Sequence, residues 1–201
     1  TDATVQKQID TLNFYYGGSP YNTDSIRVYT PFRTLYGRSD IRFCLAQRTP
    51  VNTSTTGITR TSTSTTFTAL GAHPNTIVAP WDVTKYLNIW VVNFTDGTLG
   101  YAPFPGLYPV GSPNIGYVND YRAFGAGPGT SSGGYHYNLY NQGKTAVHEI
   151  GHYFNLLHTW GNGNSNSACS GTDNCADTPP TDGPTFGCAA SPVLNSCSPA
   201  A

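Results

Sequence analysis

Methionine is absent from these 201 residues, and glutamate occurs once, at Glu149; the other ten acids are aspartates. Charge is scarce altogether, at 10% of residues, with a net charge of −1 and basic residues scattered singly. Such a chain offers no basic face, which excludes nucleic acid or an anionic membrane as its principal partner. No run of 18 apolar residues occurs, so no segment reads as a helix that spans a bilayer. There is no internal repeat, and no stretch of these residues reads as a leader peptide. The opening Thr1-Asp2-Ala3-Thr4 caps a helix at once, as expected where an upstream segment has been removed. Ser, Thr, Asn, Gly and Tyr take the place of the missing charge. The length suits one domain with a real core, arranged as two lobes around a cleft.

Cysteine is also unevenly placed. Cys169, Cys175, Cys188 and Cys197 crowd the last 33 residues, in a stretch rich in Gly, Asn, Ser and Pro. A loop of that composition cannot hold itself by core burial, so disulfides are the expected staple. A four-cysteine zinc site competes with that reading, but its closely paired knuckles are missing. Two sequons, Asn52-Thr53-Ser54 and Asn93-Phe94-Thr95, fit a secreted protein, extracellular or periplasmic.

The periodicity outlines an α+β chain. Residues 1–18 place Val5, Ile9, Leu12 and Tyr16 on one helical stripe, stopped by Gly17-Gly18. Residues 40–47 alternate Ile41, Phe43 and Leu45 with polar neighbours, the pattern of a half-buried strand. The Thr-rich stretch 52–68 predicts a hairpin or surface loop with Gly57 at a turn. Residues 85–94 are β-branched and aromatic, which predicts a central strand before the Asp96-Gly97 turn. "GYAPFPG" (100–106) carries two prolines and belongs at a sheet edge. A further strand lies in 115–124, and a Gly-rich loop then leads to a helix over 144–155.

That last helix holds the chemistry. His148 and His152 are four residues apart, so their imidazoles stack on one face and suit one metal ion. Glu149 stands beside His148 and can reach a metal-bound water without being a ligand itself, the H-E-x-x-H arrangement. Zinc brings the pKa of its water near ~7, and a carboxylate can then take the proton. Two surface histidines on a helix would be the plain alternative. Zinc, however, needs a third protein ligand. A straight helix would carry His158 too far along its axis, whereas a sharp turn would bring it back. Such a turn needs positive φ, and Asn155, three residues from each histidine, is the best residue for it after glycine. No second glutamate exists to act as third ligand, and Asp173 is a poorer choice than His158 at this spacing.

The stretch "TAVHEIGHYFNLLHTW" (145–160) resembles the metzincin metalloprotease motif, with Asn155 in the glycine position. Within the metzincins the chain most resembles the pappalysin-like branch, which includes secreted bacterial proteases. Residues 41–60, 85–106, 118–125 and 173–188 share the likeness, so it covers nearly the whole chain. The resemblance implies a twisted mixed sheet with a backing helix and an active-site helix, followed by an irregular, disulfide-bearing C-terminal part. It implies a zinc endopeptidase secreted as a zymogen, hydrolysing peptide bonds through a zinc-bound water activated by Glu149. A protein or peptide substrate would lie antiparallel to an edge strand, with Gly100, Tyr101 and Ala102 as backbone contacts; an ordinary proline-blunted edge is the alternative. It further implies calcium held by Asp173, Asp177 and Thr178, against a plain Asx-turn loop. A Cys169–Cys188 disulfide would close that loop.

The missing methionine bears on this likeness. Metzincins have a methionine turn beneath the zinc, and the transition-state tyrosine and the S1′ wall lie beyond the point where this chain stops. The expectation is that residues 1–201 form the N-terminal part of a catalytic domain. Residues 1–155 would be its upper subdomain with the active-site helix, and 156–201 the start of a lower one. Cys197 would then pair with a cysteine outside the chain, in a disulfide-linked C-terminal fragment, leaving Cys44 and Cys175 to pair or stay free. A second class of function stays open, a catalytically incomplete zinc protein with a binding or structural role. The intact Glu149 favours the enzyme, since a purely structural site has no use for it.

Overall fold

The computed structural model describes residues 1–17, 39–161, 169–184 and 197. The chain divides into two units, Thr1–Tyr153 and Phe154–Ala201. The first opens with helix α1, Asp2–Tyr16. Thr1 caps it by accepting from the Thr4 N–H, and Asp2 sits where the positive end of the helix dipole favours an acid. Gly17 closes the last turn with its N–H on the Asn13 carbonyl; Gly18, the other expected stop residue, lies outside the described residues. Ile9 and Leu12 are buried as the stripe predicts. So is Gln8, a polar residue beside the stripe and not part of it. Its amide accepts from the Gly125 N–H at 2.7 Å and donates to the Gly143 carbonyl at 3.0 Å. A buried side-chain amide is affordable only when satisfied this way, and here it ties α1 to both ends of a long loop.

Three strands form one mixed sheet: β1 (Ile89–Val92), β2 (Gly100–Tyr101) and β3 (Tyr117–Asp120), in the order β1-β3-β2. β1 runs parallel to β3, and β2 antiparallel to it with Gly100 opposite Asn119 and Tyr101 opposite Val118. The expected central strand, β1, is therefore at one edge among the described residues. β3 is the centre, and all four of its residues are buried. β2 lies at the other edge, as its flanking prolines require. Residues 41–46 differ from the expectation: among the described residues they join no ladder. The Asn13 side chain takes the place of a neighbouring strand, bonding both the N–H and the carbonyl of Phe43. Alternation reports a half-buried extended chain; it does not say whether a backbone partner is there.

The sheet carries apolar clusters on both faces. Tyr117 packs with Ile9, Leu12, Ala146 and Ile150, joining the sheet to α1 and to helix α2, Lys144–Tyr153. Val118 packs with Phe67, Trp90 and Phe94 on the opposite face. The Tyr16 hydroxyl donates to the Val147 carbonyl at 2.8 Å, fixing α1 against α2. At the end of β3 the fully buried Asp120 accepts from Arg122 through both oxygens and from the Phe94 N–H at 2.9 Å, while Arg122 also donates to the Phe94 carbonyl. This ionic clasp holds β3 to the chain that follows β1.

The second unit begins at Phe154 and turns at once. Asn155 has φ 72°, the left-handed conformation its place in the motif requires. Cys169 is joined to Cys197, with their Cα atoms 5.4 Å apart. This overturns two expectations. Cys169 is not paired with Cys188, which lies outside the described residues, and Cys197 finds its partner within the chain rather than beyond it. Four cysteines permit three pairings, and only spatial approach within disulfide reach selects one. Cys44 and Cys175 are exposed and form no disulfide among the described residues.

Two stability outcomes follow. Asp120→Ala strands the Phe94 N–H and loses its pairing with Arg122, so chemical denaturation should show a loss of about 2–4 kcal/mol. Arg60→Ala removes an exposed pair with Asp2 and should cost under about 1 kcal/mol. Equal losses would refute the ranking. At the turn, Asn155→Gly should leave the melting point nearly unchanged, while Asn155→Val should cost about 1–2 kcal/mol through left-handed strain.

Candidate active site

Helix α2 buries Ala146, Ile150 and Gly151 against the first unit and turns its other side outward. The four-residue spacing then brings two rings together: the His148 and His152 rings are 4.5 Å apart, and their Nε2 atoms 3.0 Å. His148 is exposed, while His152 is buried with its ring 4.9 Å from that of Phe104. Past the left-handed turn at Asn155, His158 stacks flat on Trp160, with the rings 4.5 Å apart and 7° from parallel. Ligand nitrogens of His148, His152 and His158 all lie within 4.8 Å of one another. Imidazole nitrogens gathered this closely suit a zinc ion bound at about 2.0–2.1 Å from each, with a further position left for water. The donor set therefore fits zinc. Among the described residues no second cluster of three such side chains forms.

Glu149 keeps part of its surface open, but its carboxyl group is strongly desolvated. Burial pushes its pKa up to about 7, and a backbone hydrogen bond from Ala102 works in the opposite direction. Edge strand β2 runs close by. A Cβ added to Gly100 would stand 3.3 Å from Glu149 Cγ, 3.3 Å from Thr145 Cγ2 and 2.9 Å from the Val118 carbonyl oxygen. A side chain at residue 100 would thus clash with the Val118 carbonyl oxygen and crowd the Glu149 and Thr145 side chains. Tyr101 points to the opposite face, where its ring lies 5.9 Å from Phe94 and 6.0 Å from His73. Only its backbone is left to face a partner along the sheet edge. The Tyr117 phenol, wholly buried, is raised well above its ordinary pKa, first by burial and then by the charge of Glu149.

Asp173, Asp177 and Thr178 lie in the second unit. The Asp173 carboxylate accepts from the Cys175 N–H at 2.9 Å, an Asx turn that closes its own loop. Sequence reasoning missed three residues near the site: Phe104 against His152, Trp160 under His158, and Tyr117. Trp160 ends the quoted motif and Phe104 sits in the proline-bearing edge segment, so both stand in stretches already marked for attention. Tyr117 gave no signal beyond being an aromatic in a strand.

Residues 73–200 match the Peptidase M43 family, described as "Pregnancy-associated plasma protein-A". The chain is 38% identical over 102 residues to an extracellular metalloprotease of Verticillium alfalfae, an alignment that covers 51% of this chain and 34% of that protein. It is 37% identical over 103 residues to one from Arthroderma otae, covering 51% of this chain and 35% of the other. It thus spans about a third of the length of the curated relatives it matches. Among solved structures, mature mirolysin of Tannerella forsythia in complex with a cleaved peptide superposes with a TM-score of 0.83 at 39% identity, covering 98% of this chain and 71% of that one. Mirolysin in complex with another compound gives 0.82 at 37% identity, with the same coverage. The fold is accordingly that of mirolysin, a metzincin, and the chain belongs to the Peptidase M43, pappalysin-like family.

Proposed function

We propose that this chain is part of the catalytic domain of a secreted zinc-dependent endopeptidase. The observation that carries the reading is the convergence of three imidazoles within 4.8 Å, with the chain's one glutamate next to the first of them. His148, His152 and His158 would hold the metal. When bound, zinc polarises the scissile carbonyl and makes a water acidic enough to be deprotonated near neutral pH. The rest falls to the protein. Glu149 takes a proton from the attacking water and hands it to the amide nitrogen as the C–N bond breaks and the new C–O bond forms. A carboxyl group kept basic by burial suits this duty, because a general base works best with a pKa near the operating pH.

The substrate would be an extended peptide. β2 is paired on one side only among the described residues, and it runs beside Glu149. Gly100, Tyr101 and Ala102 offer backbone for strand addition there. The mirolysin structure with a cleaved peptide supports a peptide ligand for this fold. Secretion is supported by relatives named extracellular metalloproteases. No helix among the described residues is long and apolar enough to cross a membrane. Asp173, Asp177 and Thr178 would serve as oxygen ligands for a calcium ion.

Two variants of the full natural protein test the assignment. Glu149→Gln keeps shape and removes basicity, so zinc should remain bound while peptide cleavage falls by about 10²-fold or more. His158→Ala should instead lower the zinc content itself, measured by metal analysis after dialysis. Wild-type turnover in the first, or undiminished zinc in the second, would sink the corresponding role.

A further inference from the structure

The helix-facing side of β3 holds an anomaly. Strand alternation sends Tyr117 and Asn119 to this side and Val118 and Asp120 to the other, and the packing agrees: Tyr117 lies among Ile9, Leu12, Ala146 and Ile150, and Val118 among Phe67, Trp90 and Phe94. Both Tyr117 and Asn119 are completely buried. The Tyr117 hydroxyl and Asn119 Oδ1 have no hydrogen-bond partner among the described residues. Native proteins rarely leave a buried hydroxyl unpaired, because phenylalanine would fill the same space without the desolvation penalty.

The acid of the candidate site lies over this same face. Glu149 stands between Ala146 and Ile150 along α2, and both of these pack on Tyr117. Its Cγ lies 3.3 Å from where a Gly100 Cβ would be, and Gly100 is paired with Asn119 across the sheet. Ala102, whose backbone bonds Glu149, packs against the cluster that contains Tyr117. The electrostatic influence of Glu149 on the Tyr117 phenol is a further sign of their proximity. A phenol pushed well above its ordinary value stays protonated, so it can offer an O–H to a charged neighbour.

We propose that Tyr117 is a positioning residue for Glu149: its buried hydroxyl is a donor held for the carboxylate, steadying it as it carries a proton from water to the leaving amine. The inference rests on the reading of Glu149 as general base. The Ala102 backbone holds Glu149 from the sheet side, and a carboxylate that shuttles a proton must turn between two acceptors. A second, fixed donor beneath it would restrict that turn to the productive arc. The orphan hydroxyl is then a cost in stability retained for a gain in orientation.

Tyr117→Phe in the full natural protein isolates the hydroxyl and leaves the ring in its packing. We expect kcat for peptide cleavage to fall roughly 10-fold or more, with KM and zinc content unchanged and a melting point no lower than wild type. A kcat within about twofold of wild type would overturn the proposal. So would a rise in KM alone, which would make Tyr117 a substrate contact, or a lower melting point with loss of zinc, which would make it a structural prop. Glu149→Gln, assayed alongside, separates the two levels. If Glu149→Gln is inactive and Tyr117→Phe is normal, the base stands and the positioning role falls. If Glu149→Gln cleaves normally, the reading beneath both has failed.

Discussion

Three nitrogen lone pairs must point at one spot, and two of them come from a helix that cannot supply the third. This constraint organises the site. A helix offers positions i and i+4 on one face, and the next residues on that face climb away at 1.5 Å each. The chain therefore has to leave the helix at once after His152 and reverse within a few residues. Asn155 does this at φ 72°, accepting a left-handed backbone that most side chains resist. The segment has little freedom left afterwards: Trp160 lies flat against the His158 ring, and the Gly161 N–H closes back on the His158 carbonyl at 2.8 Å.

A turn can only place a ligand if the helix before it is fixed. α2 is only ten residues long, too short to hold itself in water. Its stability comes from what it buries. Ala146 and Ile150 pack on Tyr117, Ile9 and Leu12, and the Tyr16 hydroxyl takes the Val147 carbonyl. The opening helix of the chain is thus the support of the site, although none of its residues reaches the metal position. Gln8 extends that support to the Gly-rich loop, gripping it at Gly125 and Gly143 just before α2 begins.

Local chemistry was legible in the sequence to the extent that it depends on spacing. The His148–His152 pair, the turn at Asn155 and the stripe on α1 all follow from a helical period or a single φ requirement. Features that depend on a distant partner were not legible. Residues 41–46 alternate like a strand, yet Asn13 takes the place of a neighbouring backbone. β1 carries the strongest strand composition but lies outside β3, because composition measures burial and not order in the sheet. Cys197 looked unpaired only because pairing is decided by approach in space, and Cys169 approaches it to 5.4 Å. Tyr117 was invisible for the same reason, since an aromatic in a strand signals packing and its hydroxyl matters only beside Glu149.

Scarcity of charge and the properties of Glu149 belong together. In a chain with 10% charged residues, few fixed charges stand near any given group, so desolvation sets the basicity of a buried carboxylate with little opposition. For Glu149 burial is the leading cause, and the Ala102 backbone bond works against it. Both depend on how closely β2 approaches α2, and that approach depends on Gly100 having no side chain. A bulkier residue there would push the strand away, letting water reach the carboxylate and weakening the Ala102 bond together. The edge strand proposed to receive the peptide is therefore also the wall that keeps the Glu149 carboxyl group desolvated, so the proposed substrate pairing and the proposed proton transfer draw on the same few ångströms of backbone placement.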